Sequence, residues 1–158
     1  MKYIGIDCSS KTLHIVMLGE DGNILEQIKL ESKEKESEKK LRDLLFQFLD
    51  LCKFGKFDNN DIFLIEKAIY IRNFWTSLLI AQVVTMTKII LWIYNIKAET
   101  VDNRTWKAKC NLGLKGNSNK KLIKEVAIKK WGMDEKLDQD FYDAACIAYY
   151  NYEINKLV

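Results

Sequence analysis

Residues 2–18 read KYIGIDCSSKTLHIVML. Lys2 to Ser9 is a short apolar run of strand type, and Thr12 to Leu18 is a second, rich in β-branched side chains. The link Ser9-Ser10-Lys11 is short enough for a hairpin. A turn at Glu20-Asp21-Gly22-Asn23 leads into a third run, Ile24 to Leu30. Three strands on short connections predict an antiparallel meander. Its first strand ends on a carboxylate, Asp7.

Downstream, a charged lead-in over Glu31 to Lys40 precedes Leu41, Leu44, Leu45, Phe48, Leu49 and Leu51, which have helical spacing. Ile62 to Ile65 is continuously apolar and bounded by acids, the pattern of a buried parallel strand. Phe74 to Tyr94 is long and apolar, but Gln82 and Lys88 interrupt it. A buried helix over Asn73 to Met86, then a buried strand over Lys88 to Tyr94 (KIILWIY), is expected there rather than a membrane span. A short basic helix within Val101 to Leu114, an amphipathic helix over Asn119 to Trp131 and a last helix from Leu137 to Leu157 complete the chain. The order is three strands, helix, strand, helix, strand, then helices. It predicts one α/β domain over residues 1–158, a mixed sheet covered on both faces.

The net charge of +3 says little, but its distribution is uneven. Lys97 to Trp131 holds ten Lys and Arg against three acids, and the segment after Gly132 turns acidic. That arrangement fits a protein that grips a polyanion and also holds cations, although two solvated helix faces would look the same. The four cysteines contain no CxxC pair and His14 is the only histidine, so a structural zinc site lacks its usual ligands. His14 reads as a sheet histidine. The cysteines read as small buried groups in a reducing cytoplasm, and the N-terminus as a strand rather than a signal peptide.

Four acids stand out. Asp7 and Glu66 each follow an apolar strand, where a charge is costly unless paired or bound to a cation. Asp140 and Asp143 are three apart near the start of the last helix and share a face. Ala144, Ala145 and Ala148 follow, small enough to let that helix approach the sheet. Taken singly, Asp7 could be a turn acid, Glu66 could pair with Lys67 or Arg72, and the last two could cap a helix. Together they match what hard divalent cations need: oxygen ligands that support two ions about 3.5–4 Å apart in phosphodiester hydrolysis. Asp138 is an alternative to Asp140; the three-residue spacing favours Asp140.

Ile4-Gly5-Ile6-Asp7, Leu64-Ile65-Glu66 and the run from Asp140 to Asp143 and Ala148 resemble the acidic motifs of the RuvC-type Holliday-junction resolvases. The resemblance spans nearly the whole chain. It implies a ribonuclease H-like fold, with a five-stranded mixed sheet whose first three strands are antiparallel. It also implies a homodimer that cuts symmetric strands of four-way DNA junctions. Mg²⁺, or Mn²⁺ in its place, would be held by Asp7, Glu66, Asp140 and Asp143. Metal-activated water would attack a backbone phosphate, leaving 5′-phosphate and 3′-hydroxyl ends. Arg104, Lys107, Lys109, Lys115, Lys120 and Lys121 resemble the family's basic segment, with Lys107 and Lys120 expected near the scissile phosphate. Tyr70, in competition with Ile69, matches an aromatic that enters the junction, and Arg72 is expected to contact DNA. The turn Gly113 to Gly116 departs from the family's Gly-x-Gly. Asn73 resembles the start of a dimer-facing helix, on which Trp75, Leu78, Leu79 and Gln82 suit either a dimer or a core. Trp75, Trp92, Trp106 and Trp131 read as packing groups, with Trp106, between Arg104 and Lys107, the one to test as a base-stacking group. A broader nuclease for forks, flaps or RNA–DNA hybrids, a sugar-kinase fragment and a non-catalytic junction-binding protein are the rival readings.

Overall fold

The computed structural model describes residues 1–68, 73–110 and 120–156. Ile69, Tyr70, Arg72, Lys115 and the turn at 113–116 lie outside the described residues. The elements are β1 (Tyr3–Cys8), β2 (Thr12–Leu18), β3 (Ile24–Glu31), α1 (Ser37–Lys53) and β4 (Ile62–Glu66). Then come α2 (Phe74–Ile93), β5 (Lys97–Val101), α3 (Asn103–Cys110), α4 (Lys120–Trp131) and α5 (Gln139–Asn155). The strands form one sheet in the order β3-β2-β1-β4-β5. β1, β2 and β3 pair antiparallel, while β4 runs parallel to both β1 and β5. The meander and the parallel β4 are as expected.

The second half of the expected 74–94 region is different. Lys88 to Tyr94 is not a strand but the last turns of α2, and the fifth strand is Lys97–Val101. KIILWIY has strand-like composition, yet Val83, Val84, Thr87, Ile90 and Leu91 fall on one buried face at helical spacing. No Gly or Pro interrupts the segment, so packing against the sheet outweighs the weak strand preference of its isoleucines. The helix ends where Asn95 adopts φ 55°, and the Ile96 N–H donates back to Leu91 O at 2.9 Å.

Alternation along β1 divides the core in two. Ile4 and Ile6 face the side covered by α1 and α2, with Leu44, Phe48, Phe63 and Val83. Tyr3 packs on the other side with Trp106, Ile123, Ala144 and Ala148, under α3, α4 and α5. Gly5 lies where α5 crosses the sheet. A Cβ there would overlap the Ala144 carbonyl oxygen and the Ala148 backbone nitrogen. The alanines on α5 and the glycine on β1 therefore serve one close approach. Asn151, buried on α5, locks it by donating to Ile4 O at 3.1 Å and Ile62 O at 2.7 Å.

Candidate metal and nucleic-acid site

The same alternation that sends Gly5 toward α5 sends Asp7 there too. Ile6 pairs with Ile65 in parallel register, so Asp7 and Glu66 emerge side by side at the end of the two central strands. His14 is the antiparallel partner of Asp7 on β2 and faces the same way. The first turn and a half of α5 lies over this end of the sheet and brings Asp140 and Asp143. Residues far apart in sequence thus share one corner because three strand ends and one helix start meet there.

The corner carries excess negative charge. Asp7 is only 9% exposed. Burial raises its carboxyl well above the usual range, and Glu66, Asp143 and Asp140 raise it further. A hydrogen bond with Glu66 adds to this. Burial also raises the buried Asp143; the Gln139 amide, donating to its Oδ1 at 3.0 Å, and the Lys107 charge work the other way. Asp140 keeps a 41% exposed side chain.

Glu66 is held from α3. Its Oε1 accepts from Asn103 Nδ2 at 2.7 Å and from Trp106 Nε1 at 3.2 Å. Two alternatives left open by the sequence are decided here. Lys67 does not pair with Glu66; it bonds Asp102 at 2.9 Å. Trp106 is not available for stacking on bases, because its ring is fully buried and its indole N–H is committed to Glu66. The positioning roles of Asn103 and Trp106 escaped the sequence reading. One signal was present: a buried indole N–H needs an acceptor, and Trp106 shares the inward face of α3 with Cys110.

Asp138 and Asp140 separate clearly. Asp138 precedes α5, is bonded by Lys29 Nζ at 2.8 Å and lies 3.4 Å from His14 Nε2. Lys29, then His14, lowers its pKa. Asp140 is the one whose charge reaches Asp7. His14 is 2% exposed, and burial lowers its pKa. Its Nδ1 has no hydrogen-bond partner among the described residues and lies 3.7 Å from Asp140 Oδ2.

Of the basic residues, Lys107 is half-buried, with Nζ 5.0 Å from the Trp106 ring centroid, and its charge acts on Asp143. Arg104 and Lys109 are exposed on α3; Lys120 and Lys121 are exposed at the start of α4. Among the described residues, no group of three or more His, Cys, Asp and Glu side chains is placed to hold a metal ion as the side chains stand. The donor chemistry nevertheless fits a divalent cation. Asp7 is buried beside Glu66, Asp143 and Asp140 add their charge to it, and among the described residues no lysine or arginine bonds to Asp7 or Glu66.

The strand order, the antiparallel start and the helices on both faces define a ribonuclease H-like fold of the RuvC kind. Among solved structures, the chain is similar to Thermus thermophilus RuvC at TM-score 0.75 and 12% identity, over 98% of this chain and 96% of that one. T. thermophilus RuvC in complex with a Holliday junction substrate gives TM-score 0.75 at 10% identity, with the same coverage. Identities this low establish a shared fold and no more. Comparison of the sequence with protein-family models and with curated proteins gives no match.

Proposed function

We propose that the chain is a divalent-metal-dependent endonuclease acting on branched DNA, with four-way junctions as its preferred substrate. The observation that carries this is the buried Asp7 beside Glu66, under the Asp140–Asp143 turn, at one end of a RuvC-like sheet. In this reading Asp7, Glu66, Asp140 and Asp143 hold Mg²⁺ or Mn²⁺. Such an ion, when bound, offsets the charge of the attacked phosphate and makes a water easier to ionise.

The chain's own residues do the rest. Asn103 and Trp106 fix one Glu66 oxygen and so orient the carboxylate. Gln139 orients Asp143. Lys107 places positive charge beside the acids, where a phosphate would sit. Arg104, Lys109, Lys115, Lys120 and Lys121 grip the backbone on either side, with Lys120 near the cut and Tyr70 and Arg72 meeting the junction.

The likeness to a RuvC solved with a Holliday junction supports the choice of substrate. The exposed face of α2 supports a homodimer. Trp75, at 74% exposure, with Leu78, Met86, Ile89, Trp92 and Ile93, makes an apolar stripe along one side. A second copy packed there would place two sites on opposed strands. α2 is long and apolar enough to cross a membrane by length and composition, but its other face is built into the core beside the sheet.

Labelled four-way junctions, forks, flaps and linear duplex, incubated with Mg²⁺ beside an Asp7→Asn control, test this. Paired symmetric nicks in the junction, absent from the control, are expected. Equal cutting of forks and flaps would replace the resolvase by a general debranching nuclease. Binding with no cleavage in Mg²⁺ or Mn²⁺ would favour a non-catalytic junction-binding protein.

A further inference from the structure

We infer that His14 is a nitrogen donor in this site and that, with Asp140, it makes the site prefer a first-row transition-metal dication over Mg²⁺. The inference rests on the metal-site reading above and adds to it a residue from β2. Three observations carry it. First, the ring is buried at 2% exposure, with Phe141 packed edge-on at 4.7 Å between centroids.

Second, its two nitrogens have different surroundings. Nε2 faces Asp138 Oδ2 at 3.4 Å, an acceptor that Lys29 holds in place. A neutral ring therefore carries its proton on Nε2 and presents a lone pair at Nδ1. A carboxylate on the remote nitrogen is the arrangement that fixes the tautomer and orientation of a metal-ligating histidine. Third, Nδ1 has no hydrogen-bond partner among the described residues and lies 3.7 Å from Asp140 Oδ2. A lone pair facing a carboxylate oxygen across that gap repels it, unless a cation lies between them. Two ligands on bonds of about 2.1 Å span a gap of this size. Imidazole nitrogen binds first-row transition ions, whereas Mg²⁺ takes oxygen.

His14 is the only histidine, so a histidine-nitrogen signal can come from no other residue. The untagged chain, prepared with ¹⁴N- or ¹⁵N-histidine, is loaded with Mn²⁺ and read by pulsed electron paramagnetic resonance. One imidazole-nitrogen coupling is expected, changing with the isotope. His14→Phe keeps the ring's bulk and should lose the coupling. It should weaken Mn²⁺ about tenfold or more in calorimetry while changing Mg²⁺ less. The isotope experiment uses the natural chain, so it stands even if the variant fails to fold. Bound Mn²⁺ with no nitrogen coupling overturns the inference, and Mg²⁺-dependent cleavage lost in Asp7→Asn would still support the nuclease. Absence of Mn²⁺ binding overturns the inference as well, with the cleavage assay deciding the nuclease reading separately.

Discussion

Asp7, when ionised, costs the folded state stability. Its carboxyl is raised by burial and by Glu66, so in metal-free protein the folded state holds a proton more tightly than the unfolded chain. The stabilisation from a raised pKa is full below the ordinary carboxylate range and is lost as pH rises through the folded value. In EDTA at pH 7, Asp7→Asn should therefore melt above the natural protein, by about 1–3 kcal/mol, with the gap closing toward pH 4. Saturating Mg²⁺ should reverse the order, because ligand at 100 times its Kd adds about 2.7 kcal/mol to the natural protein alone. A variant less stable in EDTA at every pH would remove the charge-strain account. Trp106→Phe tests the support of Glu66. It keeps an aromatic ring but removes the indole donor and leaves a small cavity, so the cleavage rate at saturating junction should fall about 10–100-fold with a stability loss of about 1–3 kcal/mol.

At the scale of elements, the crossing of α5 over β1 is the least tolerant contact. Gly5→Ala places a methyl against backbone atoms of Ala144 and Ala148, and no side-chain rotation relieves it. Urea denaturation should show a loss of about 3 kcal/mol. A loss below 1 kcal/mol would mean that α5 can lift, and Asp140 and Asp143 would lift with it. α5 itself was legible in the sequence, as were the meander and β4, because each carries its period within a few residues. The end of α2 was not. Lys88 to Tyr94 satisfies strand composition locally, and only the surface it packs on selects the helix.

At the scale of the whole molecule, the exposed stripe of α2 and the basic surface of α3 and α4 make separate predictions. Ile89→Glu with Leu78→Glu should convert a dimer to monomer in light scattering after gel filtration, leaving the fold intact by circular dichroism. A natural protein that is monomeric at tens of micromolar would remove the dimer proposal. Lys107→Ala should lower the salt dependence of junction binding by about one unit of slope, as expected for one lost phosphate contact.

The sequence by itself determined the strands of the meander, the parallel β4, the positions of Asp7 and Glu66 at strand ends and the shared face of Asp140 and Asp143. Those features follow from periods of 2 and 3.6 residues and are written locally. Tertiary structure alone decided which run became β5, that Trp106 is buried against Glu66 rather than offered to bases, and that Asp138 turns to Lys29 while His14 faces Asp140. These outcomes depend on contacts between residues tens to more than a hundred positions apart. They arise only when strands of fixed register and a helix set down on a glycine bring the side chains to one corner, and no local pattern records that meeting.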